Sequence, residues 1–258
     1  MILGVLQARV SSTRLPGKVL MPILGEPMLL RQIERVRRAT RIGRLLVATS
    51  SDPSDDAIEK LCRDNEVSLF RGSLDDVLDR FYRAAIPIAP DHVVRLTGDC
   101  PLADPELIDQ VISFYLDGGF DYASNVVVPT FPDGLDVEVF RFSCLEQAWK
   151  EADLPSQREH VTPFIHRQPG RFRIGSFRGE KDLSGLRWTV DGPEDFELVT
   201  EIYASLYPGN RAFTTKDIFD LLGMRPELAT LNACYGRNDG MNKSLAEDRL
   251  NPGNNRKG

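Results

Sequence analysis

The chain has no excess of basic charge. Its 258 residues hold 32 Lys and Arg against 38 Asp and Glu, a formal net charge of −6. That balance argues against general nucleic-acid binding but leaves room for one local basic pocket. Cysteine is scarce, and no two of Cys62, Cys100, Cys144 and Cys234 form a Cys-x-x-Cys pair. Zinc knuckles and thioredoxin-like chemistry therefore fall away, and reduced core thiols of a cytoplasmic protein are expected. No apolar run approaches the roughly 20 residues that span a bilayer, so no membrane association is expected. Met1 leads into a short apolar run that meets Gln7 and Arg9, which is not a secretory pattern. No internal repeat is present. What remains is 41% hydrophobic and 27% charged, the balance of a globular protein whose core needs neither disulfide nor structural metal.

Periodicity then sets the fold class. Ile2 to Ala8, Leu45 to Thr49, Val67 to Phe70 and Val93 to Thr97 are short apolar runs that read as buried strands. Pro27 to Ala39, Asp55 to Asn65, Asp75 to Ile86 and Pro105 to Leu116 carry apolar residues at helical spacing between them. Alternating strands and helices predict an α/β fold with a doubly wound, mostly parallel sheet in three layers. After Asn125 the rhythm changes. Asp136 to Phe140 and Arg171 to Phe177 alternate like strands, with helices over Ser143 to Ala152 and Gln157 to Arg167. The stretch from about 126 to 185 is read as an inserted β/α segment covering one sheet edge. Leu186 to Val190 is expected to return as a strand, followed by helices over Pro193 to Leu206 and Asp217 to Leu222. Residues 1–235 are read as one domain and 236–258 as a polar tail.

The most informative stretch is the turn after the first strand, Gln7-Ala8-Arg9-Val10-Ser11-Ser12-Thr13-Arg14-Leu15-Pro16-Gly17-Lys18. Ligands of open α/β sheets bind beyond the carboxyl ends of strands, and this loop sits there. It offers three hydroxyls, two Arg, one Lys and one Gly, the chemistry that a polyphosphate needs. Arg14 can fork onto phosphate oxygens while Lys18 acts as a point charge. The loop matches neither GxxxxGK[ST] nor GxGxxG, which lowers P-loop kinases and dinucleotide-dependent dehydrogenases.

This loop resembles the signature of nucleotide-sugar cytidylyltransferases, in particular the SpsF-like spore-coat polysaccharide proteins related to CMP-Kdo and CMP-sialate synthetases. The resemblance continues through Leu96 to Asp109 (LTGDCPLADPELID), Pro132 to Phe140 (PDGLDVEVF), Arg158 to His166 (REHVTPFIH) and Arg187 to Val199 (RWTVDGPEDFELV). It implies a nucleotide-diphospho-sugar transferase-like fold with a nucleoside triphosphate and Mg²⁺ as partners. By this resemblance Asp99 and Asp191 are the metal ligands, and Arg14, Lys18, Asp99 and Asp191 form the catalytic set. Carboxylate oxygens suit a hard cation that keeps several waters. Each Asp also has a plainer reading as a turn or helix cap, although Asp104, before Pro105, fits capping better than Asp99. The chain has Gly192 where the family usually has Thr.

Nucleotide contacts are expected from Gln7, Ala8, Arg9, Ser12, Arg14, Lys18, Arg71, Gly72 and Asp99, with base recognition near Gln7, Ala8 and the Arg71 loop. Acceptor contacts are expected from Asp133, Glu138, Arg158, Glu159 and His160, since carboxylates accept hydrogen bonds from diols. His92 and His166 are read as structural, and Arg80 as a surface partner of Asp76. The expected reaction is CMP transfer from CTP to a sugar or sugar-acid acceptor in surface-glycan biosynthesis, with pyrophosphate released. Three alternatives stay open: use of GTP or UTP, a non-enzymatic ligand-binding or regulatory module in a surface-polysaccharide pathway, and a glycosyltransferase on a similar fold. The last usually carries an Asp-x-Asp metal motif, and this chain has none. The apolar Val126, Val127, Val128 and Phe131 suit an isologous contact, so a homodimer is expected.

Overall fold

The computed structural model describes residues 1–233, 235–237 and 248. Cys234 and most of the 236–258 tail lie outside the described residues. The chain runs β1 (Ile2–Gln7), β2 (Pro22–Ile23), β3 (Glu26–Pro27), α1 (Met28–Val36), β4 (Arg44–Ser50), α2 (Asp56–Asp64), β5 (Ser68–Gly72), α3 (Val77–Ala85), β6 (His92–Thr97) and α4 (Pro105–Gly118). It continues with β7 (Tyr122–Ser124), β8 (Glu138–Arg141), α5 (Phe142–Glu151), α6 (Pro155–His160), α7 (Pro163–His166), β9 (Ile174–Ser176), α8 (Pro193–Leu206) and α9 (Thr215–Met224).

Among the described residues the main sheet has seven strands in the order β5-β4-β1-β6-β8-β7-β9. The pairs β5–β4, β4–β1, β1–β6 and β7–β9 are parallel, while β8 runs antiparallel to both β6 and β7. Period-two alternation gives the sheet two apolar faces. Leu6, Val47, Val94, Ala123 and Val139 pack with α1, α2, α4, α8 and α9 on one face. Leu3, Val5, Ala48, Val93, Tyr122 and Phe140 pack with α3, α5 and α7 on the other. The three-layer, mostly parallel α/β architecture is the one that the strand–helix alternation predicts.

Local chemistry explains the element ends. Asp104 caps α4, accepting from Glu106 N at 2.8 Å, with Pro105 in the first helical position and Gly119 in the left-handed region after the last turn. Asp76 caps α3, and the Thr214–Asp217 box opens α9.

Three expectations change. The segment after residue 125 does not merely cover an edge, because β8 sits inside the sheet beside β6, whose flank β1 leaves open. Residues 157–167 are not one helix: α6 and α7 are separated at buried Val161, whose φ of 72° and ψ of −56° form a tight turn closed by Thr162 N donating to His160 O at 2.8 Å. Leu186 to Val190 makes no regular strand; only Arg187 bridges, to Asp133. The stretch is instead laced across the sheet end by Trp188 N to Asp133 O at 2.6 Å and Val190 N to Asp99 O at 2.8 Å.

Gly134 makes that lacing possible. Its φ is 103°, and a Cβ there would lie 2.4 Å from Thr189 N and 2.6 Å from the Trp188 carbonyl carbon. Gly134→Ala is therefore expected to destabilise the protein by at least about 1–3 kcal/mol, since backbone must shift to admit the methyl. Urea unfolding of the variant checks this, with a lowered midpoint at unchanged slope as the expected result.

Candidate active site

Four segments meet at the carboxyl ends of β1 and β6. The loop after β1 is held by Asp55, which is fully buried and accepts from Val10 N at 2.7 Å and from Ser50 N at 3.1 Å. The loop after β6 lies against it at Gly98, where a Cβ would meet Ala8 Cβ and Gln7 O at 2.9 Å each. Gly98 is thus required for close approach of the two strand ends. The third segment is 186–191, and the fourth is α6.

Between them opens a cavity of about 670 Å³. Gln7, Ala8, Arg9, Ser12, Arg14, Lys18, Asp99, Glu159, His160 and Asp191 line it, ten residues that the sequence singles out. At one end the Lys18 ammonium donates to Asp99 Oδ2 at 3.2 Å, Asp191 Oδ1 at 2.9 Å and the Val190 carbonyl at 2.6 Å. Arg14 pairs with Asp191 Oδ2 at 2.8 Å. Burial works to raise the Asp99 carboxyl, but the Lys18 charge and hydrogen bonds from Thr97 and Lys18 bring it down to about 2. Asp99 is thus ionised throughout the physiological range.

Behind Asp191 sits Arg187. It donates to Asp191 Oδ2 at 2.7 Å, to Asp133 Oδ2 at 2.9 Å and to fully buried Asp195 at 3.0 Å. Asp195 Oδ2 also accepts from the Asp191 and Gly192 backbone at 2.9 and 3.0 Å. Asp195, rather than Asp191, therefore caps α8, and Asp191 is left facing the cavity.

Several expected residues lie elsewhere. Arg71 turns to Asp56 at 2.8 Å and to Glu59, and neither it nor Gly72 lines the cavity. Arg158 turns to Asp76, its Nε at 3.0 Å, and to Trp149 O at 2.9 Å. Asp133 is taken up by Arg187. Glu138 is buried beneath the cavity, paired with Arg95 at 2.5 Å and accepting from Tyr122 at 3.2 Å. In each case a nearby opposite charge or hydrogen-bond partner determines where the side chain goes.

Two further arginines line the cavity: Arg80, expected on the surface beside Asp76, and Arg95, which was not singled out from the sequence. Arg80 is 1% exposed rather than on the surface; it donates to Ser73 O at 2.8 Å, and burial with the nearby Arg9 charge pushes its guanidinium down to about 10. Arg95 is fixed between Glu138 and Gln7 Oε1, the latter at 3.2 Å. Each carried a signal. Arg80 falls on the apolar face of α3 beside Val77 and Phe81, and Arg95 interrupts the apolar run of β6.

The lining can hold a metal. Asp99 and Asp191 both reach one ammonium, so their oxygens converge on one cation-sized position, and phosphate and water would complete a magnesium sphere. Among the described residues no group of three or more His, Cys, Asp or Glu forms a ready-made cage. Asp195→Ala is expected to cost about 3–5 kcal/mol, because it leaves Arg187 and two amides of the α8 start short of a partner. The drop in thermal midpoint measures it.

Residues 3–213 match the family model described as cytidylyltransferase. The chain is 34% identical over 237 residues to the spore coat polysaccharide biosynthesis protein SpsF of Bacillus subtilis, covering 89% of this chain and 97% of that one. Among solved structures, a cytidylyltransferase from Leptospira borgpetersenii superposes with a TM-score of 0.84 at 32% identity, over 88% of this chain and 96% of that one. CMP:2-keto-3-deoxy-manno-octonic acid synthetase complexed with CTP superposes at 0.63 with 20% identity, over 79% and 98%, a likeness of fold. With matched residues that run from β1 to Phe213 and take in the whole cavity, this chain belongs to the cytidylyltransferase family.

Proposed function

We propose that the protein transfers CMP from CTP to a hydroxyl of a sugar or sugar-acid acceptor, releasing pyrophosphate, for the synthesis of a surface glycan. The observation that carries the reading is the convergence of Lys18, Arg14, Asp99 and Asp191 at one end of a single cavity. The family membership, the SpsF relative and the CTP-bound fold neighbour support the choice of base and acceptor class.

On this reading each residue has a role. Arg14 and Lys18 neutralise the triphosphate and the charge that builds on the leaving pyrophosphate. Backbone groups at Gln7 and Ala8, with Arg9 and Ser12, hold the nucleotide along the first loop. Asp99 and Asp191 would hold Mg²⁺, which would reduce the charge on the phosphates that the acceptor oxygen approaches. Arg187 fixes the Asp191 carboxylate from behind. Glu159 and His160, at the end of α6, line the cavity and are assigned to the acceptor. Burial lowers His160 below the usual imidazole value, although Glu159 pulls it up, so at neutral pH the ring is uncharged and able to take the acceptor proton. Arg71 and Arg158 have structural roles instead. Exposed Val127 and Val128 are read as a homodimer contact. Among the described residues no helix is long and apolar enough to cross a membrane.

Incubation with each of four nucleoside triphosphates, Mg²⁺ and a panel of sugars and sugar acids tests the reaction. Pyrophosphate and a CMP conjugate are expected with CTP; release of a nucleoside diphosphate would instead indicate glycosyl transfer. Asp99→Asn is expected to lower kcat by about 100-fold or more, whereas Arg158→Ala stays near the wild-type rate.

The pH profile tests His160. Turnover should fall on the acid side with an apparent pKa below the usual 6.5 or so of histidine. His160→Asn should flatten that limb and cut kcat by about 10²-fold or more. A rise in acceptor KM with the limb intact would assign His160 to binding alone.

A further inference from the structure

The Lys18 ammonium sits where a cation belongs. Three oxygens surround it, two from carboxylates and one from a backbone carbonyl, at 2.6–3.2 Å, and its side chain is only 9% exposed. Resting on the metal-dependent reading above, we infer that Lys18 is a built-in placeholder for the metal. Its ammonium fills the cation position while nucleotide is absent, and it moves to the phosphates when the metal–nucleotide complex enters.

Three observations support this. First, Asp99 and Asp191 share this ammonium, so a divalent ion entering alone would meet a positive charge at its own position. Second, Asp191 stays compensated when Lys18 leaves, because Arg14 and Arg187 hold its other oxygen, Oδ2, at 2.8 and 2.7 Å. The carboxylate therefore keeps its place and offers the Oδ1 that Lys18 vacates. Third, the nearby cations differ in freedom. Arg187 is pinned by Asp133, Asp191 and Asp195, whereas Lys18 is a point charge on a rotatable four-carbon stem. It lies on a turn of the first loop, beside Arg14, where phosphates are expected. The triphosphate supplies the counter-charge that draws Lys18 away, and the metal supplies the charge that replaces it. Neither partner alone does both, so binding of metal and nucleotide is mutually dependent.

Mn²⁺ binding, read by electron paramagnetic resonance without turnover, tests the placeholder. Wild-type protein with Mn²⁺ alone should bind about tenfold more weakly than with CTP present, the ternary complex being separated from free Mn²⁺–CTP by water-proton relaxation. Lys18→Met and Lys18→Gln, each checked for folding by circular dichroism, should bind Mn²⁺ alone about tenfold or more tighter than wild type. Adding Asp99→Asn to Lys18→Gln should remove the gain. Unchanged or weaker Mn²⁺ affinity in both single variants overturns the placeholder while a wild-type ternary complex leaves the metal reading standing, and equal wild-type affinity with and without CTP overturns it also. Failure of wild type to form any ternary complex overturns the metal reading itself.

Discussion

An ammonium shared by two carboxylates organises this end of the molecule. Asp99 stands at the start of the loop after β6, Asp191 near the end of the stretch before α8, and Lys18 comes from the loop after β1, so one charge cluster ties together segments 81 and 173 residues apart. At contact distances and an effective dielectric near 20, each such pair gains on the order of 4 kcal/mol before desolvation is charged against it. Desolvation takes much of that back. The net effect is therefore on geometry rather than on stability: two like charges are held facing the same point, which they would not do unaided. Arg14 and Arg187 extend the logic by compensating the far side of Asp191.

Positioning of this cluster comes from backbone that has little freedom. Asp55 anchors the first loop to the end of β4, Gly98 lets the loop after β6 press on the end of β1, and Gly134 lets residues 186–190 lie flat across the sheet end. Each contact is made near a strand terminus, where ladder hydrogen bonds already fix direction. These contacts fix the backbone on which Lys18, Asp99 and Asp191 stand.

Much of this was legible in the sequence, and the pattern of what was not is informative. The parallel half could be read because its strands and helices have clean periods of two and 3.6 residues, and α8 runs over the residues expected. The loops after β1 and β6 were identifiable as the place for Lys18 and Asp99, whereas Asp191 follows an irregular stretch where a strand was expected. The antiparallel β8 was misplaced because pairing partners are set by tertiary contacts, not by local pattern. Arg71, Arg158 and Asp133 were expected at ligands from their place in the chain and the family pattern, and each pairs instead with an opposite charge 12 or more residues away. Arg80 and Arg95 were undervalued for the opposite reason: a charge on an apolar face looks like an interruption until the cavity it borders is seen.

The cavity wall at α6 is built differently from the end that holds Lys18. Val161 is a buried β-branched residue in a left-handed conformation that such residues rarely adopt, at a cost of order 1–3 kcal/mol. A regular helix through this point would carry the chain onward along α6. The turn instead stops α6 at His160 and redirects the backbone into α7, leaving Glu159 and His160 at a helix end against the cavity rather than along a helix side. The strain is held by packing, since Val161, Phe164 and Ile165 are all buried in the core beneath α3 and α5. The core on one face of the sheet thus sustains a local conformation that the sequence disfavours, and its effect appears at the site, where Glu159 and His160 line the cavity.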